Sequence, residues 1–170
     1  NTGLFAPFGL IIFILCQSFV LAKKYNKISE LYLKDFLTGA YNKRYLFDYL
    51  EDAINVCKKN EGKSISIAIL DIDYFKNIND TYGHDFGDIF LKNISEAIVQ
   101  SIRGNDVFAR YGGEEFVIIF NDLKFKDSFV VCEKIREKIK KLETVFIDKN
   151  NKKQYIKVTI SIGLSDYDRS

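Results

Sequence analysis

No charged residue occurs from Asn1 to Ala22, and Lys23, Lys24 and Lys27 follow at once. Such a segment offers no charge to a water-facing surface, so it limits the fold before anything else is read. The run Leu4 to Ala22 approaches the roughly 20 apolar residues that cross a hydrocarbon core. Its apolar residues are not confined to one face, as a buried helix of a soluble core would have them. The lysines that follow predict a cytosolic C-terminal side, whereas a secretory signal peptide carries its positive charge before the apolar stretch. Pro7, Gly9 and Gln17 are tolerable inside a membrane helix. The sequence therefore predicts a transmembrane helix over residues 1–22. Because the chain starts with Asn, that helix reads as a fragment of a longer membrane region. Leu21, Tyr25, Ile28 and Tyr32 recur at spacings of four, three and four, which predicts a short helical stalk over 23–34.

The remainder is one domain's worth of chain: 170 residues in all, 47% hydrophobic, suffice for one core and an accessory segment but crowd two domains. Twenty-five basic against 23 acidic residues leave no polyelectrolyte excess, which argues against a nucleic-acid polymer as partner. Cys16, Cys57 and Cys132 are odd in number and far apart, so neither a disulfide framework nor a thiolate zinc site is expected. With His84 the sole histidine, any metal has to rest on carboxylates, which favours magnesium or manganese.

Periodicity then lays out the elements. A helical stripe runs from about Lys43 to Asn60, through Leu46, Tyr49, Leu50, Ala53, Ile54 and Cys57. Ser64 to Leu70 reads as a buried strand with Asp71 at its exit. Phe86, Ile89, Phe90, Ile94, Ala97, Ile98 and Ile102 give a second amphipathic helix, stopped by Gly104-Asn105. Val107, Ala109 and Tyr111 alternate into Gly112-Gly113, and Phe116, Ile118 and Phe120 alternate out, which predicts a hairpin joined by a two-residue glycine turn. A helix from about Lys126 to Leu142 and a hairpin of Thr144–Ile147 with Tyr155–Leu164 complete the order. One parallel crossover mixed with antiparallel hairpins predicts an α+β sandwich, helices over a largely antiparallel sheet.

Asp71 and Glu114 are the residues whose chemistry stands out, since strand ends of one sheet would let the two carboxylates converge on one or two magnesium ions. Taken singly, Asp71 reads as well as a cap on the next turn, and Glu114 as a solvated hairpin residue. Gly112-Gly113 is a weak signal alone: a plain type I′ turn, or a place where missing side chains let a nucleotide approach the backbone. The absence of a glycine-rich loop ending in Lys-Ser or Lys-Thr excludes a P-loop GTPase.

In combination these segments carry more. Asp71-Ile72-Asp73-Tyr74-Phe75-Lys76-Asn77-Ile78-Asn79-Asp80, then Tyr82-Gly83-His84-Asp85-Phe86-Gly87-Asp88, then Arg110-Tyr111-Gly112-Gly113-Glu114-Glu115-Phe116 closely resemble the GGDEF family of diguanylate cyclases. Asp35-Phe36-Leu37-Thr38-Gly39-Ala40-Tyr41-Asn42-Lys43-Arg44 resembles that family's opening motif, and Thr159-Ile160-Ser161-Ile162-Gly163 its late strand. The resemblance implies a palm-like fold over residues 35–170, related to nucleotide cyclases and polymerases. It implies a homodimer in which each subunit holds one GTP, two GTP becoming cyclic di-GMP and two pyrophosphates. It further implies that Asp71, the Ile72 carbonyl and Glu114 hold the metal, with Glu114 also accepting the 3′-hydroxyl proton. Phe75, Lys76 and Gly113 would lie against GTP, and Asn79 and Asp88 would accept the guanine N1-H and 2-amino hydrogens that adenine does not offer. Arg103 and Asp106, nine and six positions before Gly112, match the spacing of the family's product-binding inhibitory motif. The role of Glu115 is left open.

With the predicted helix, the resemblance places the protein at the bacterial inner membrane with its catalytic domain in the cytoplasm. The family normally continues past the late strand into a further helix and strand, so the domain is expected to lack its C-terminal end. The rival from another class is a non-catalytic module that binds cyclic di-GMP through Arg103 and Asp106, or GTP without turnover.

Overall fold

The computed structural model describes residues 5–60, 62–147 and 151–167, with the side chains of 5–9 and 25–31 outside that description. It divides into two compact units, Asn1–Leu33 and Lys34–Ser170. The first is a helix, α1 (Phe5–Leu33). Leu10 to Leu15 and Phe19 to Leu21 are all more than half exposed, which puts apolar surface all round that stretch. Among the described residues no helix is long and apolar enough to cross a membrane. The expected span over 1–22 begins in residues whose side chains lie outside the description, as do Tyr25 and Ile28 of the expected stalk seam.

The second unit contains α2 (Lys43–Lys59), β1 (Ile65–Ile72), α3 (Phe75–Tyr82), α4 (His84–Val99), β2 (Val107–Arg110), β3 (Glu115–Asn121), α5 (Phe125–Lys141), β4 (Thr144–Ile147), β5 (Lys153–Ile156) and β6 (Ile160–Asp166). The main sheet runs β2-β3-β1-β6, and every neighbouring pair is antiparallel. β1 and β2 run parallel with β3 inserted between them, as do β3 and β6 around β1, so the chain makes the split β-α-β unit twice. This is the expected palm-like α+β arrangement of an antiparallel sheet flanked by helices. The parallel crossover is realised without any parallel pair of neighbouring strands.

Alternation along β1 decides which face each residue serves. Ala68, Leu70 and Ile72 join Phe116, Ile118 and Phe120 of β3 beneath Phe90, Ile94 and Ile98 of α4 and Ile135 and Ile139 of α5. These are fully or almost fully buried, and each Leu, Ile or Phe among them contributes about 1.5–3 kcal/mol over its exposed state. The opposite face is covered by α2, where Leu46 and Cys57 pack on Ile65, Val107, Ala109, Val117 and Ile119. That cover thins along β1, from buried Ile65 through half-buried Ile67 to Ile69 and Asp71, which are exposed.

Three expectations are corrected. Asp71 does not leave the strand but lies within β1, because pairing with both neighbours continues through it. The run Tyr155–Leu164 is not one strand: β5 pairs with β4 in a separate two-stranded sheet, while β6 crosses to β1. The Gly112-Gly113 turn is not type I′, which needs positive φ at both central residues, and neither glycine has it. Instead the ladder ends at Arg110–Phe116, and the amides of Tyr111 and Gly112 both donate to the Glu115 carbonyl, at 2.8 and 3.2 Å.

Candidate active site

β1 presents Asp71 on its open face, and its cross-strand partner on β3 is Glu115. Directly opposed residues project to the same side, so Asp71 is brought next to Glu115, the acid whose part was left open. Glu114 precedes β3, one step past the end of the ladder and thus level with Ile72. Asp73 is spoken for, accepting hydrogen bonds from the Thr159 hydroxyl and from Ser161 Oγ at 2.7 Å. Among the described residues no three His, Cys, Asp or Glu side chains gather into a metal-holding cluster. The expected set has only two carboxylates and one carbonyl. Hard oxygens of that kind suit magnesium, which keeps several waters and shares substrate phosphates rather than demanding an all-protein cage.

Past β1 the chain turns through Tyr74, a non-glycine residue in left-handed conformation at φ 59°, into α3. This short helix lies where a turn was expected, and it carries Phe75, Lys76 and Asn79 together. Phe75 is only 5% exposed, so its ring belongs to the core, and only its backbone at the helix start is left for the contact with GTP expected of it. Lys76 is exposed on the first turn. Its charge and its place at the start of a helix both favour an anion.

Gly83, at φ 90° and ψ 160°, ends α3 and opens α4, a backbone conformation that side-chain-bearing residues rarely adopt. The break turns Asn79 toward the first turns of α4. Asn79 Oδ1 is buried and has no hydrogen-bond partner. A Cβ at Gly87 would sit 2.0 Å from that oxygen and 3.2 Å from Phe75 Cζ, so Gly87 leaves the space in which the acceptor stands. Asp88, the next residue along α4, is exposed. An unpaired buried acceptor costs about 1–3 kcal/mol, which a ligand donating an amino hydrogen would recover.

Arg103 and Asp106 meet, though as partners of each other. Arg103 Nη2 donates to Asp106 Oδ1 at 2.9 Å and Nε to Oδ2 at 3.2 Å, while Nη2 also reaches the Asn121 carbonyl at 2.9 Å. The Asp106 carboxylate, 1% exposed, accepts in addition from the backbone amides of Arg103 and Asn121. It therefore staples the turn between α4 and β2, and the product-binding part expected of it needs this set to open. Arg103 stays half exposed. Beside it lies a cavity of about 270 Å3 lined by Lys34, Tyr41, Val99, Ile102 and Phe108 among others.

Sequence reasoning assigned no role to Arg110. Its Nε donates to the Gly112 carbonyl at 3.1 Å, its Nη2 to the Gly113 carbonyl at 2.7 Å, and its Nη1 to Asp35 Oδ1 at 3.1 Å. Asp35 Oδ1 also accepts from the amide and hydroxyl of Thr38, at 2.9 and 2.7 Å. Burial pushes the Asp35 carboxyl up, but the hydrogen bonds from Thr38 and the Arg110 guanidinium outweigh it and hold the group below its ordinary value. The only available signal was an arginine beside two glycines.

The profile of the family described as diguanylate cyclase, GGDEF domain, matches residues 32–170, a span that contains every candidate site residue. The chain is 38% identical over 144 residues to Diguanylate cyclase A of Treponema denticola, covering 84% of this chain and 38% of that protein. It is 37% identical over 136 residues to the response regulator PleD of Caulobacter vibrioides, covering 80% of this chain and 29% of that protein. It thus spans well under half the length of these two relatives. The crystal structure of the GGDEF domain of DgcB from Caulobacter crescentus in complex with c-di-GMP superposes with a TM-score of 0.72 at 30% identity, covering 80% of this chain and 78% of that one. With a family match over most of its length, the chain belongs to the diguanylate cyclase GGDEF-domain family.

Proposed function

We propose that this chain condenses two GTP into cyclic di-GMP and two pyrophosphates, each subunit of a homodimer holding one GTP. The observation that carries the reading is the buried, unpartnered Asn79 Oδ1 kept open by Gly87. It is an acceptor in want of a donor, and guanine has amino and N1 hydrogens where adenine leaves the acceptor unpaired. Asp88 supplies the second acceptor. The start of α3 with Lys76 receives the phosphates, and Gly113, without a side chain, lets the nucleotide close on the backbone.

Asp71, the Ile72 carbonyl and Glu114 would hold magnesium or manganese. When bound, such an ion neutralises the triphosphate and makes a 3′-hydroxyl a better nucleophile. Glu114 takes the proton of that hydroxyl. The 3′-oxygen freed of its proton bonds to the α-phosphorus of the facing GTP as the bond to the pyrophosphate oxygen breaks, and the same exchange from the 3′-oxygen of the second nucleotide closes the ring and releases the second pyrophosphate. Product inhibition through Arg103 and Asp106 is part of the proposal, supported by the cavity beside them and by the DgcB structure with c-di-GMP. Anchoring at the bacterial inner membrane, with the cyclase domain in the cytoplasm, is part of the proposal; the exposed apolar side chains of Leu10 to Leu15 and Phe19 to Leu21 support a lipid contact.

The test is turnover of GTP with magnesium by the chain, forced to dimerise, with the product identified by mass. Cyclic di-GMP is the expected product. Binding of cyclic di-GMP without turnover would replace the enzyme by a receptor.

A further inference from the structure

We propose that Arg110 is the positioning residue of the cyclisation, holding the turn that carries Glu114 by tying it to Asp35 at the start of the domain. This rests on the reading of Glu114 as metal ligand and proton acceptor.

Two successive glycines outside the left-handed region give the backbone wide freedom and lose the most entropy when fixed. No side chain of their own can hold Gly112 and Gly113, yet Glu114 follows directly and Glu115 opens β3. Arg110 supplies the restraint. Its planar fork takes both glycine carbonyls on one side and a carboxylate on the other, with Arg110 and Asp35 side chains 15% and 17% exposed. A peptide unit is planar and its N–H points opposite to its C=O. Fixing the Gly113 carbonyl therefore fixes the amide of Glu114 and the direction in which that residue leaves the turn.

The anchor is firm as well. Asp35 is held by two donors from Thr38, and its own amide donates to the Ala40 carbonyl at 2.8 Å. Tyr41 then runs beside β2, its amide donating to the Phe108 carbonyl at 2.9 Å and its carbonyl accepting from the Arg110 amide at 2.7 Å. Backbone and side chain of Arg110 thus join the same two segments. A lysine's three donors all leave one nitrogen, so they cannot span the separate positions that the planar guanidinium fork reaches.

The experiment compares the parent with Arg110→Lys, Arg110→Ala and Asp35→Asn on two readouts. The first is hydrogen exchange of the Gly112 amide, whose bond to the Glu115 carbonyl is 3.2 Å long. It is expected to quicken at least tenfold in Arg110→Lys while amides of β1 and α4 keep their protection. The second is kcat against KM: kcat is expected to fall about ten- to a hundredfold in Arg110→Lys with KM for GTP nearly unchanged, the size of loss a misplaced group brings. Asp35→Asn should produce a smaller loss of the same kind, and little further loss when combined with Arg110→Lys. An unaltered Gly112 amide in Arg110→Lys overturns the proposal whether or not the parent turns over GTP, and so does a kcat that survives the exchange. Protection lost throughout the domain, in β1 and α4 as well, would make Arg110 merely structural and would overturn it too. A parent that makes no cyclic di-GMP sinks the proposed activity, and the exchange readout still decides the tether.

Discussion

Gly87→Ala tests the guanine pocket at its narrowest point. The new Cβ would stand 2.0 Å from Asn79 Oδ1, 3.1 Å from Asn79 Cγ and 3.2 Å from Phe75 Cζ. Of these only the Asn79 amide can swing away, because Phe75 is packed in the core. Alanine is favoured over glycine inside a helix by about 1 kcal/mol, while forcing a methyl group into filled space costs about 1–3 kcal/mol. The net loss of stability is then about 0–2 kcal/mol, a fall in Tm of a few degrees for a domain of this size. Recognition suffers more. With Asn79 turned out, guanine loses a buried acceptor worth about 1–3 kcal/mol, and the preference for GTP over ATP should fall about 5- to 150-fold. Nucleotide binding by calorimetry and a thermal scan on the same samples separate the two effects. Asn79→Ala, which introduces no clash, should lose the same preference at parental stability. A Gly87→Ala protein that folds and still prefers GTP as the parent does would refute the reasoning.

Glu114→Ala should abolish product formation with Tm unchanged, and should also remove any rise in Tm that magnesium and GTP together give the parent. Product made by that variant would sink the metal assignment. Arg103→Ala should leave initial turnover intact and raise the concentration of cyclic di-GMP needed for half inhibition at least tenfold. It should also cost about 1–3 kcal/mol in urea unfolding, since the buried Asp106 carboxylate keeps two backbone donors but loses its cation. Inhibition as strong as the parent's would remove the pair from product binding. Asp35, whose carboxyl is held below its ordinary value of 3.8, contributes stability that is fully present above that value and lost as pH falls through the lower folded one. The stability gap between parent and Asp35→Asn should therefore be constant above about pH 5 and close as pH drops below 3.8. A gap that widens on acidification would contradict the bonding seen around Asp35.

What was legible in the sequence was local and periodic. The α2 and α5 stripes, the apolar run of β1 and the alternation around Gly112-Gly113 all sit where periodicity places them, because a face buried against one neighbour has to repeat. What escaped depends on partners far along the chain. Lys157 to Thr159 look no different from the strand residues around them, yet the chain changes sheets there, because β1 still had an open edge to fill. The short helix α3 has only Phe75 and Ile78 buried, too few to show a period. The site residues were visible as a motif, but their geometry was not. That Asp71 faces Glu115 follows from register, and that Asp106 is already occupied by Arg103 follows from a turn no propensity describes.

Because β1 is central, with β3 on one side and β6 on the other, it also limits how this protein can change over time. Deleting or adding one residue between Ile65 and Leu70 would move every later side chain to the other face. The Asp71 carboxylate would then enter the packing of Phe90 and Ile118, and Leu70 would move out to the solvent. Substitutions along this strand cost a few contacts each, whereas a single insertion costs the core and the reaction together. Variation here should therefore proceed by exchange of residues at constant length, and changes of length should collect in the connections, such as the segment between β4 and β5.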